Sequence, residues 1–189
     1  HCISSAASDV YKRQVLVHPS IDLRDVAQRI AVGKLWNAGQ TCVAPDYMFL
    51  PRGKTAEFID HFKACVESMY PDISHNQDYT SIINDKQYNR LQGYLDDARE
   101  QGAQIIEINP RNESPADLRK IAPTLVTNVM PSMQIMQHEI FGPLLPIMEY
   151  DQIDDVIDFI NSRPRPLALY YFDFDQARAD YVAQRTHSG

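Results

Sequence analysis

Short apolar runs that read as strands alternate with longer stretches in which apolar residues recur at helical spacing, and this alternation constrains the fold more than any other feature. Val15-Leu16-Val17 reads as a strand. Leu23, Val26, Ala27, Ile30, Ala31 and Leu35 then fall on one helical face, with Asp22 placed to cap it. Val43 to Leu50 is apolar enough for a second strand, closed by a turn at Pro51-Arg52-Gly53. Thr55 is placed to cap a second helix whose buried stripe is Phe58, Phe62, Cys65, Val66 and Met69. A third helix runs from Asp85 to Gly102 on Tyr88, Leu91, Leu95 and Ala98, and Gly102 stops it.

Ile105 to Ile108, Pro123 to Val129, Leu144 to Tyr150 and Pro166 to Phe172 read as further strands. Gln152 to Asn161 and Asp175 to Gln184 read as helices, and Asn109 to Lys120 as a polar loop. Strands interleaved with helices predict an α/β domain with a largely parallel sheet flanked by helices. At 189 residues the chain has the length of one domain.

Composition excludes several classes of function. With 44% hydrophobic and 23% charged residues the chain is an ordinary globular one. No apolar run reaches the roughly 18 residues that would suggest a membrane span. A net charge of −7 without Lys/Arg clusters argues against nucleic acid and anionic lipid as partners. Three cysteines with no CxxC pair, and 6 scattered histidines with no HExxH, predict no disulfide framework, no metal and a reducing, cytoplasmic setting.

Two segments hold residues that could carry chemistry. In GKLWNAGQTC, residues 33–42, a helix gives way to a glycine-containing loop and then to a strand. A cysteine at such a junction can be exposed and ringed by backbone N–H groups, which favour a thiolate and later an oxyanion. The competing account of Cys42 is an inert buried thiol. Cys65, on an apolar helical stripe, reads as core, and Cys2 has no assigned role. In QHEIFGP, residues 137–143, Glu139 could hold ligand hydroxyls and Phe141 could stack on a flat heterocycle. The plainer account is a solvated Glu beside a turn, with Phe141 in the core. Tyr170 and Tyr171 lie in a strand and read mainly as packing. The acidic group Asp151, Asp154, Asp155 and Asp158 suits the start of a helix.

Together, the two segments resemble the aldehyde dehydrogenase superfamily. GKLWNAGQTCVAPDY (33–47) is similar to its cysteine motif and HEIFGPLLPI (138–147) to its Glu-containing motif. DYTSIINDKQYNRL (78–91), IAPTLVTNV (121–129) and PLALYYF (166–172) agree in order and spacing. APDY and PLALY point to the class 3 and fatty-aldehyde branch, especially bacterial coniferyl aldehyde dehydrogenase-like members.

The resemblance implies a catalytic domain of that type over residues 15–189, truncated at both ends. It implies that Cys42 is the nucleophile, that its backbone N–H helps form the oxyanion hole, and that Glu139 and Phe141 bind the cofactor, NAD or NADP. An aldehyde would be oxidised to a carboxylic acid through a thiohemiacetal and a thioester, in a protein that is a homo-oligomer at full length. No glycine-rich dinucleotide turn occurs here, so the fragment is expected to be inactive alone. The family's general-base Glu would align with position 8, where Ser8 stands. Residues 1–14 resemble translated library adapter and are expected to be a non-native or disordered head. The readings set against this are a cysteine hydrolase or acyltransferase using Cys42 with a histidine, and a non-catalytic α/β interaction domain.

Overall fold

The computed structural model describes residues 12–188 of the chain. His1, Cys2, Ser8 and Gly189, and the expectations attached to them, lie outside the described residues.

Six strands form one sheet: β1 (Arg13–Val17), β2 (Tyr47–Pro51), β3 (Gln104–Glu107), β4 (Thr124–Thr127), β5 (Leu144–Tyr150) and β6 (Ala168–Phe172). Their order is β3-β4-β5-β2-β1-β6. Every neighbouring pair is parallel except β3 with β4. The four inner strands are nearly all buried, whereas β3 and β6 at the edges are half-exposed. Burial on both faces is why residues 15–17 of β1 and the whole of β2 read as unbroken apolar runs, not as alternating ones.

The helices are α1 (Leu23–Leu35), α2 (Thr55–Met69), α3 (Asp85–Glu100), α4 (Gln134–Gln137), α5 (Ile153–Asn161) and α6 (Gln176–Arg185). Helix α1 packs on α2, and α3 on the short α4. Asp22 caps α1 as read, accepting from the Arg24 N–H at 2.8 Å. At α2 the cap position is Lys54, and the Thr55 hydroxyl instead donates to Glu149 Oε1 at 2.7 Å. Alternation along β2 puts Tyr47 and Phe49 on one face, where both rings meet Phe159 of α5 edge-on at 6.3 and 5.4 Å.

Two strand boundaries and the burial of one cysteine differ from the reading of the sequence. Strand β1 begins at Arg13 because Arg13 and Gln14 pair with Ala168 and Leu169 of β6. Lys12 to Gln14, read as part of an unstructured head, are therefore buried at the sheet. Strand β2 starts at Tyr47, because residues 41–44 turn and the Ala44 N–H closes onto the Thr41 carbonyl at 3.2 Å. Cys65 is only half-buried against the core.

Candidate active site

Parallel pairing brings the amino ends of β1, β2 and β5 to one edge of the sheet. The turn that precedes β2 carries Cys42 and the loop that precedes β5 carries Glu139, so the two loops meet by topology. Open parallel sheets ordinarily bind ligands at the carboxyl ends of their strands; here the candidate residues gather at the opposite end.

A buried network joins the two loops. Asp46 Oδ2 accepts from the Arg13 N–H at 3.1 Å and from its guanidinium at 3.4 Å, while Oδ1 accepts from the Ile140 N–H at 2.9 Å. The Arg13 guanidinium also pairs with Glu139 Oε1. Lys34, fully buried on α1, donates through Nζ to the Pro45 carbonyl at 2.6 Å, three residues beyond Cys42. Burial pulls its ammonium down to about 7, partly countered by Asp46. From α3, Arg90 donates to the Glu139 and Ile140 carbonyls at 2.9 and 2.6 Å.

Glycine lets the loops close. A β-carbon on Gly39, whose φ is +74°, would lie 2.3 Å from the Gly142 carbonyl oxygen. On Gly142, a β-carbon would meet the Leu91 side chain at 2.6 Å.

Cys42 is exposed on its turn. Its backbone N–H has no hydrogen-bond partner among the described residues. The next carbonyl, that of Val43, accepts from the Tyr170 hydroxyl at 2.8 Å, which ties the turn to β6. Burial raises the Tyr170 hydroxyl above its ordinary value. Burial likewise pushes the Cys65 thiol up; Cys65 is half-buried where Cys42 is exposed.

Phe141 is not in the core. It stands 38% exposed with φ +51°. Glu139 is not simply solvated either, because its carboxylate, 23% exposed, is held by Arg13. None of the described histidines forms a hydrogen bond with Cys42. His18 contacts Ser20 and Asp173, His75 contacts Asp72, and His138 stacks on Tyr94.

The sequence reading missed Lys34, Asp46, Arg90 and Gln40, which hold the site together. Lys34 carried a usable signal: it follows Ile30 and Ala31 on the buried stripe of α1, where a lysine is out of place. Asp46 and Arg90 act across large sequence separations, and no local pattern marks them.

A cavity of about 430 Å³ opens at the same sheet edge, lined by Gln14, Tyr47, His138 and Arg163 among others. A larger groove of about 1030 Å³ runs between α2 and strands β3 to β5. Cys42 lines neither. Carboxylate and imidazole atoms of Asp72, His75 and Glu113 lie within 4.8 Å of one another, a grouping that sequence spacing did not reveal. Asp72 is paired with Arg111, and Glu113 accepts from the Ile73 and Ser74 N–H groups.

Residues 12–189 match the model of the aldehyde dehydrogenase family. A coniferyl aldehyde dehydrogenase of a Pseudomonas species is 48% identical over 180 residues, covering 94% of this chain and 37% of that protein. The substrate-bound Staphylococcus aureus AldH superposes with a TM-score of 0.85 at 36% identity, over 94% of this chain and 38% of the other. A Mycobacterium tuberculosis aldehyde dehydrogenase complexed with NAD+ gives 0.81 at 26% identity, over 95% and 38%. The chain thus spans little more than a third of the length of these relatives.

Proposed function

From the premise that this chain belongs to the aldehyde dehydrogenase family, we propose that it is part of an enzyme that oxidises an aldehyde to a carboxylic acid, with Cys42 as nucleophile. The observation that carries this reading is an exposed cysteine whose loop is bound through Asp46 and Gly39 to the loop of Glu139 and Phe141.

The thiolate of Cys42 attacks the aldehyde carbon, forming a C–S bond and placing the carbonyl electron pair on oxygen. That oxyanion would meet the Cys42 N–H, the donor left over by the turn. Loss of hydride from the thiohemiacetal leaves a thioester, which water cleaves to the acid and the free thiol. NAD or NADP, when bound, supplies the hydride acceptor.

Glu139 and Phe141 fit such a group in chemistry: a carboxylate for ribose hydroxyls, and a ring held out into solvent. Arg13 stands in the way, since it already occupies the carboxylate. We ascribe this to Arg13 and Gln14 being non-native residues, as the adapter resemblance of residues 1–14 implies, although both pair in β1. Among the described residues, the buried side-chain atoms without a hydrogen-bond partner are Arg13 Nε and Gln14 Oε1, both in that head. The fragment, 15–189, is a partial catalytic domain that is inactive alone. The whole protein is a cytoplasmic homo-oligomer acting on a coniferyl-type aldehyde.

Joining residues 15–189 to their natural upstream sequence tests the proposal. The joined protein should reduce NAD or NADP with coniferyl aldehyde, Cys42→Ser should abolish this, and the 189-residue chain should show none. Turnover surviving Cys42→Ser would refute the assignment.

A further inference from the structure

The turn that leads to Cys42 holds three consecutive left-handed residues, of which Ala38 disfavours that shape. Asn37, Ala38 and Gly39 follow one another in the left-handed region, at φ 52°, 50° and 74°. Only the third is glycine, and Ala38, fully buried, has no polar side chain to compensate. Such a run persists only where its surroundings over-determine it.

Gln40 supplies that determination. Its Nε2 donates back across the run to the Asn37 carbonyl at 3.1 Å and outward to the Ser81 carbonyl at 3.0 Å. Its Oε1 accepts from the Ile83 N–H at 2.9 Å. Asn37 Nδ2 returns a bond to the Gln40 carbonyl at 3.1 Å. A primary amide suits this place because both a donor and an acceptor are needed at the tip of one side chain.

The partner segment is itself anchored. The Ile82 N–H donates to the Arg119 carbonyl at 2.8 Å, and Arg119 Nε returns to the Ile82 carbonyl at 3.3 Å. Residue 83 leads through the Asn84 cap into α3, the helix whose Arg90 holds the Glu139 loop. Gln40 therefore ties the cysteine turn to the frame that also supports the second loop.

We infer that Gln40 is a positioning residue for Cys42: its side-chain amide locks the left-handed 37–39 turn onto the 81–83 segment and so holds the thiol in one placement for attack on a carbonyl carbon. The inference rests on the reading of Cys42 as nucleophile.

Iodoacetamide alkylation of the 189-residue chain, read peptide by peptide, separates the two. Wild type, Gln40→Met and Gln40→Glu are compared from pH 5 to 8.5, with Cys65 as internal reference and Ile83 amide exchange as a monitor of the clamp. Cys42 in wild type should outpace Cys65; equal rates would overturn the nucleophile reading itself. Gln40→Met, equal in reach but without donor or acceptor, should slow Cys42 roughly tenfold and expose the Ile83 amide, with Cys65 unchanged. Wild-type Cys42 reactivity in Gln40→Met would overturn the positioning role while leaving the nucleophile reading intact.

Gln40→Glu covers the case in which the methionine variant unfolds. Its ionised carboxylate faces the Asn37 and Ser81 carbonyls, whereas the protonated acid restores a donor. The variant-to-wild-type ratio of Cys42 rates should rise towards one as the pH falls. A ratio independent of pH would overturn the inference.

Discussion

Gly39 and Gly142 meet backbone to backbone, so closely that a β-carbon on Gly39 would lie 2.3 Å from the Gly142 carbonyl oxygen. This contact sets the separation between the turn of Cys42 and the loop of Glu139. It also predicts unequal costs for two outwardly similar substitutions.

Gly39→Ala forces a left-handed alanine against rigid backbone, and should cost roughly 3 kcal/mol in urea unfolding. Gly142→Ala collides with the Leu91 side chain, which can shift, and should cost about half as much. In a Leu91→Ala background the Gly142→Ala increment should vanish and the Gly39→Ala increment should remain. Equal increments for both in that background would contradict the geometry.

Asp46 holds three donors, from the Arg13 backbone, the Arg13 side chain and the Ile140 N–H. Asp46→Ala takes the acceptor from the buried Arg13 and Ile140 N–H groups and leaves the Arg13 guanidinium with Glu139 alone, and should destabilise by about 3 kcal/mol. Glu139→Gln leaves Arg13 with Asp46 and should cost about 1 kcal/mol or less. Denaturant midpoints that place the two variants together would show that Asp46 is not the hub.

The ammonium of Lys34 is pulled down by burial to about 7 in the folded chain. Between that pH and the usual lysine range near 10.4 the unfolded chain binds more protons, so stability should rise with pH across this window. Below about 7 the penalty is fully present. Lys34→Met removes the titrating group, and its stability profile should be flatter by a few kcal/mol over the same window. Urea midpoints from pH 6.5 to 10.5 measure this, and parallel profiles for the two proteins would sink it.

If Arg13 masks Glu139, then Arg13→Ser should expose the carboxylate. Carbodiimide coupling at Glu139, quantified by mass spectrometry, should increase several-fold while coupling at Glu149, which is bonded to Thr55, stays constant. No change at Glu139 would mean that the loop, not the arginine, shields it.

Much of this molecule was readable in one dimension. The period-3.6 stripe from Leu23 to Leu35 and the run from Leu144 to Tyr150 became α1 and β5, because local periodicity reports directly which face an element buries. The motifs around Cys42 and Glu139 identified the family for the same reason: they are contiguous. Contiguity does not extend to what holds them. Asp46 bonds to Ile140 across 94 residues and Arg90 to the Glu139 carbonyl across 49, and Gln40 reaches 43 residues forward to Ile83. Gathering at the amino ends of the strands, the three consecutive left-handed residues before Cys42 and the Gly39–Gly142 contact were decided only by tertiary structure. Parallel strand order and backbone dihedrals arise when distant segments pack, and residue types in sequence do not encode them locally.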